Sequence, residues 1–152
     1  FPVIVKLNTT DLLEGGLTLE DSVRTSVLLE AAGIDGIEAS GGMAEAGLGS
    51  MWPGLRKPED EGYFVAAAAR IKAAVKVPVF GLGGIRSFDI AEAIVREGRA
   101  ALISLSRPFI RDPYLVKNFR EGRATMSECI SCNKCLNPRG IRCAELKVTK
   151  ST

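Results

Sequence analysis

The chain has 152 residues, 46% of them hydrophobic and 25% charged, with 20 Lys and Arg against 18 Asp and Glu. That length supports one domain with a core of its own, and a net charge of +2 gives no electrostatic footprint for nucleic acid or an anionic membrane. No apolar run approaches the roughly 20 residues of a membrane span, no signal-peptide pattern is present, and the absence of histidine excludes a Ser-His-Asp or Cys-His machine and a His-ligated catalytic metal from this chain.

The chain opens without a methionine, on residues that already read as a strand, so the expectation is a piece cut from something longer or a processed product. Residues 2–8, PVIVKLN, form that first β-branched run. After Gly15-Gly16, Thr18 is placed as an N-cap with Asp21 in the capping-box position. Leu19, Val23, Val27 and Ala31 follow at helical spacing up to a stop at Gly33. Residues 34–39, IDGIEA, predict a second strand that opens into Ser40-Gly41-Gly42 and a long loop with Trp52, Pro53 and Pro58. A helix is expected over 59–75, with Phe64, Ala67, Ala68, Ile71 and Val75 on one stripe. Residues 77–80, VPVF, predict a third strand running into Gly81-Leu82-Gly83-Gly84. Ser87 is expected to cap a helix that ends at Gly98. Residues 101–105, ALISL, predict a fourth strand ending at Ser106-Arg107-Pro108. Asp112-Pro113 is expected to start a last helix that stops near Gly122.

The pattern is α/β: four consecutive βα units over residues 1–122, followed by a cysteine-rich segment over 123–152. The strands are short and nearly unalternating, as in a parallel sheet covered on both faces. In such sheets chemistry gathers at the carboxyl ends of the strands. Lys6, Asn8, Ser40-Gly41-Gly42, Gly83-Gly84 and Ser106-Arg107 all fall there. A closed (βα)8 barrel takes roughly 250 residues, and four strands do not close one. Because an unpaired apolar edge is an aggregation hazard, the chain is expected to associate with a second copy or with a missing half.

Gly83-Gly84 lies between a strand and a helix, where free N–H groups approach a phosphate closely. The same pair also suits a tight turn that needs positive φ. Ser106-Arg107, on the neighbouring strand end, would complete a bidentate phosphate clamp; otherwise Arg107 is a surface residue paired with Asp112. Lys6 faces the same mouth. It could stabilise negative charge on a ligand, such as the N1–C2=O edge of a reduced flavin, or it simply flanks a strand. Glu38 reads as an ion-pair partner of Lys6 or Arg86. Trp52 either covers a ligand or anchors its loop.

The four cysteines, Cys129, Cys132, Cys135 and Cys143, follow a C-x2-C-x2-C-x7-C spacing. Clustered in this way they suggest a tetrahedral zinc or an iron–sulfur cluster, with a reduced or disulfide-bonded tail as the alternative. A clustered rather than scattered distribution favours a reducing, cytoplasmic location.

VPVFGLGGIRS, LISLSRPFIRDPYL and CISCNKCL together resemble the C-terminal half of the Old Yellow Enzyme, or NADH:flavin oxidoreductase, family. The resemblance runs from PVIVKLN to Cys143, and its most specific part is Arg-Pro-Phe-Ile-x-x-Pro. It implies strands five to eight of an FMN-containing TIM barrel that reduces activated alkenes with hydride from NAD(P)H. It implies Lys6 near the flavin N1 and O2, Gly83 and Gly84 in the loop that binds the FMN phosphate, and Arg107 as the phosphate arginine. Ser106 stands where members place glycine or alanine. The tail is similar to that of the 2,4-dienoyl-CoA and 2-enoate reductase branch, which holds a [4Fe–4S] cluster on C-x2-C-x3-C-x11-C; both later spacers differ here. The family's substrate-anchoring His/Asn or His/His pair and its tyrosine proton donor belong to the first half of the barrel. The resemblance therefore implies no catalytic residue in this chain, which is expected to be silent by itself. The competing reading is an iron–sulfur or zinc binding module on a half-barrel scaffold.

Overall fold

The computed structural model describes residues 1–47, 49, 51–138 and 140–146. The end of the cysteine segment, 147–152, lies outside the described residues. The elements run β1 (Ile4–Asn8), α1 (Leu19–Ala31), β2 (Gly36–Ser40), α2 (Val65–Lys72), β3 (Val79–Gly81), α3 (Phe88–Arg96), β4 (Leu102–Ile103), α4 (Arg107–Arg111) and α5 (Leu115–Arg120). The strands form one four-stranded sheet in sequence order, and every pairing is parallel. β2 and β3 are paired on both sides, β1 and β4 on one side each, and the apolar face of each run is buried against the helices.

Period-two alternation divides the sheet's residues between two faces. Leu7, Ile37, Ala39 and Val79 point toward the helices and pack with Ala68, Ile71 and Val75 of the α2 region. Ile103 joins a second cluster with Val65, Ile85, Ile94 and Ala100. The opposite face carries the cross-strand row Lys6, Glu38, Phe80, Leu102. It is not covered as a doubly packed sheet would be: Ile4 is 49% and Leu102 51% exposed. Among the described residues helices cover one face only, which corrects the expectation of a sheet covered on both sides.

The Thr18–Asp21 capping box forms as predicted, with the Asp21 N–H donating to Thr18 Oγ1 at 3.2 Å and the Thr18 N–H to Asp21 Oδ2 at 3.2 Å. The predicted apolar stripe of α1 is only partly right. Val23 packs on the core, but Val27 is 44% exposed and the fully buried positions are Ser22 and Ser26. Ser22 Oγ donates to Asn8 O and Ser26 Oγ to Ser22 O, both at 2.8 Å, so two small hydroxyls let α1 lie close to the sheet.

The helix expected over 59–75 is shorter. Pro58–Asp60 forms a 3-10 turn, and Gly62 then takes φ +77, which interrupts the helical run before α2 begins. Ser87 is not a side-chain cap of α3, because its hydroxyl is used elsewhere. The helix expected to start at Asp112-Pro113 begins at Leu115, and Arg107–Arg111, to which the sequence assigned no element, forms the short α4. No described helix is long and apolar enough to cross a membrane.

Candidate functional site

A cavity of about 230 Å³ lies at the carboxyl ends of the strands. Lys6 comes from β1, Glu38 and Ser40 from β2, Gly83-Gly84 from the loop after β3, and Ser106-Arg107 from the step between β4 and α4. All the residues singled out in the sequence for a cofactor therefore line one space. That space is smaller than the roughly 300–1,000 Å³ of a complete small-molecule site.

Gly83 and Gly84 take φ +119 and +68. A Cβ on Gly83 would stand 2.9 Å from the backbone nitrogens of Tyr63 and Phe64, so this strand end packs directly against the chain entering α2. The Gly83 carbonyl accepts from the Gly62 N–H at 2.6 Å. The tight-turn and phosphate readings of the glycine pair are thus compatible. The turn needs glycine, and it leaves N–H groups unused. Among the described residues the backbone N–H groups of Gly83, Gly84, Ser106 and Arg107 donate to no acceptor. Unpaired amides on adjacent strand ends suit an anion.

Arg107 is only 7% exposed. Its Nη1 donates to the Trp52 carbonyl at 2.9 Å and to Asn133 Oδ1 at 2.6 Å. Its Nε and Nη2 have no partner among the described residues, and neither is a sealed orphan. The alternative pairing with Asp112 does not occur. The Asp112 carboxylate accepts from the Tyr114 N–H and Asn118 Nδ2, both at 2.8 Å. Lys6 pairs with Glu38 across the open face. Arg86 instead meets Glu61, a fully buried carboxylate 3.5 Å from Arg86 Nε. Glu61 also accepts from the N–H groups of Arg86 and Ser87 at 2.8 and 2.9 Å and from Ser87 Oγ at 2.9 Å. This carboxylate ties down the loop that carries the glycine pair.

Trp52 stacks on Tyr63, with ring centroids 4.5 Å apart and planes 5° from parallel, so it anchors its loop on the cavity wall. Three residues with roles here were not singled out as site residues. Ser40 is 1% exposed, lines the cavity and has an unpartnered hydroxyl among the described residues. Glu61 and Asn133 act through partners more than twenty residues away, which no local pattern reports.

The four cysteines are free thiols, and all line a second cavity of about 20 Å³, next to the first. That is room for about one water-sized body. Among the described residues no three His, Cys, Asp or Glu side chains are placed to hold a metal ion. No chemistry is therefore assigned to zinc or a cluster at Cys129, Cys132, Cys135 and Cys143. Arg111 reaches this cavity's edge, bonding Glu128 at 2.5 Å and lying 3.9 Å from Cys143 Sγ. These bonds, Glu128 first, raise the guanidinium above its ordinary pKa.

The profile of the NADH:flavin oxidoreductase / NADH oxidase family matches residues 1–126. The chain belongs to this family. The NADH oxidase of Thermoanaerobacter brockii is 34% identical over 153 residues, which is 98% of this chain and 23% of that protein. A 2-naphthoyl-CoA reductase, solved with 2-naphthoyl-CoA, superposes with a TM-score of 0.77 at 33% identity over 88% of this chain and 20% of its own. The old yellow enzyme homologue of Zymomonas mobilis shares the fold at TM-score 0.58 and 22% identity, over 91% of this chain and 36% of its own. The chain thus spans less than a quarter of the NADH oxidase it matches. Its four βα units follow part of the TIM barrel of these NADH:flavin oxidoreductase relatives.

Proposed function

We propose that this chain supplies the FMN phosphate site of a larger NAD(P)H-dependent flavin oxidoreductase. The observation that carries the proposal is the set of unpartnered N–H groups at Gly83, Gly84, Ser106 and Arg107, gathered with the free edge of the Arg107 guanidinium around one cavity. A dianionic phosphate there meets amides that need no rearrangement and a cation already removed from bulk water. Charge-assisted hydrogen bonds are the strongest that a neutral-pH protein offers, at about 1.5–3 kcal/mol each.

FMN, when bound, supplies the hydride relay from a nicotinamide to a small activated alkene. The chain's own residues bind and orient it. Gly83, Gly84, Ser106 and Arg107 hold the phosphate end. Lys6 offers a cation toward the ring end, partly neutralised by Glu38 until a ligand competes for it. The family resemblance puts the substrate anchors and the proton donor in the other half of the barrel, so this chain by itself is expected to be catalytically silent. The open row Lys6, Glu38, Phe80, Leu102 is read as the face that the remaining strands of the barrel cover, with a second copy of the chain as the competing occupant.

Phosphate contacts alone must offset an association cost of about 4–15 kcal/mol, so FMN retention by this chain is weak without the rest of the ring pocket. The test is equilibrium binding of FMN and riboflavin, compared between the protein and Arg107→Gln. Tighter binding of FMN than of riboflavin, with that preference lost in the variant, supports the proposal. An equal preference in both proteins refutes it.

A further inference from the structure

Arg107 lines both cavities and forms the wall between them. On the cysteine side it is held by Asn133, which lies between Cys132 and Cys135. Asn133 takes φ +58, a left-handed conformation that asparagine, aspartate and glycine accept more readily than other residues. From there its amide is used at both ends. Oδ1 accepts from Arg107 Nη1 at 2.6 Å, and Nδ2 donates to the Met51 carbonyl at 2.8 Å. The neighbouring Trp52 carbonyl accepts from the same Nη1 at 2.9 Å. One corner of the guanidinium is gripped by this clamp, while Nε and Nη2 are left for a ligand.

We infer that Asn133 is the positioning residue of the phosphate site, so that the cysteine segment holds Arg107 in the orientation that meets the phosphate. This rests on reading the larger cavity as a phosphate site. Asparagine is suited to the task in three respects. Its amide oxygen fixes the arginine without neutralising it, as a carboxylate would. Its NH2 ties the same point to the loop that carries Trp52. Its backbone tolerates the left-handed turn between two cysteines. The segment has other attachments: Arg86 Nη1 to the Cys129 carbonyl at 3.0 Å, the Gly54 N–H to the Ser131 carbonyl at 2.9 Å, and the Ser127 N–H to the Arg86 carbonyl at 2.9 Å. Removing the Asn133 side chain therefore leaves the segment docked.

The test compares FMN with riboflavin, which lacks only the phosphate, in equilibrium binding to the protein, Asn133→Gly and Asn133→Asp. Glycine keeps the positive φ and deletes the clamp. Aspartate keeps the reach to Arg107 and adds a negative charge. The expected result is a loss of FMN affinity of about tenfold in Asn133→Gly, or about 1.4 kcal/mol, a larger loss in Asn133→Asp, and unchanged riboflavin binding in both. An FMN-to-riboflavin ratio equal to that of the parent protein in both variants overturns the inference. So does an equal loss for both flavins, which marks general loosening of the pocket. If the parent protein itself does not prefer FMN, the phosphate reading of the cavity fails and this inference fails with it.

Discussion

Gly83→Ala tests whether the strand end after β3 is as tightly built as the site requires. Gly83 sits at φ +119, and a Cβ there meets the backbone nitrogens of Tyr63 and Phe64 at 2.9 Å. Strain at such a φ costs about 1–3 kcal/mol for a residue with a side chain. The contact adds an overpacking cost of about 1–3 kcal/mol, because backbone atoms at the start of a helix cannot swing aside as a side chain would. The expected total is about 2–6 kcal/mol. Gly98→Ala is the control: it has φ +71 but nothing within 4 Å of the added carbon, so only the left-handed strain of about 1–2 kcal/mol applies. Urea unfolding followed by circular dichroism gives both values, with unchanged slopes confirming that stability alone has moved. Gly83→Ala is expected to lose clearly more than Gly98→Ala, together with FMN binding. Equal losses in the two variants would refute the argument that Gly83 is packed against the entry to α2.

Glu61→Ala strands the buried Arg86 guanidinium and two loop N–H groups, so it is expected to destabilise by about 3–5 kcal/mol in denaturant, against a smaller loss for Glu61→Gln. Lys6→Met removes an ion pair whose lysine is more than half exposed; it is expected to change stability by less than about 1 kcal/mol while weakening riboflavin and FMN alike, as the proposed role of Lys6 at the ring end requires. The Asp21 carboxyl is held below its ordinary value of 3.8 by hydrogen bonds from Thr18 first and Arg24 second. A carboxyl lowered in the folded state stabilises above its unfolded value and loses that contribution as pH falls through the folded one. Asp21→Asn is therefore expected to flatten the acid limb of the stability curve below about pH 4 and to leave neutral pH dependence unchanged, as read by thermal melts across pH.

The parts of the fold that local chemistry determines were legible in the sequence. Four apolar runs, each ending at glycine or a polar pair, became four parallel strands, and Thr18 with Asp21 marked the start of α1. Errors arose where tertiary partners outweigh local preference. Ser87 sits where a cap belongs, but Glu61 takes its hydroxyl. Gly62 breaks a run of helix formers because its N–H is needed by the Gly83 carbonyl. Val27 follows the helical period yet faces outward, because the close approach of α1 is made by Ser22 and Ser26. At the site, Lys6, Gly83, Gly84, Ser106 and Arg107 were legible because strand ends in a parallel sheet share one edge. Asn133 was not, since the clamp joins residues 26 positions apart. The cysteines stood out by spacing, and the structure gathers them around one small cavity without converging them on a point.

The most direct measurement of the central claim is equilibrium binding of FMN and riboflavin to the same protein, with and without added inorganic phosphate. A phosphate site built from Gly83, Gly84, Ser106 and Arg107 predicts tighter binding of FMN, with the advantage shrinking as inorganic phosphate competes. Equal affinities for the two flavins, untouched by phosphate, would contradict it.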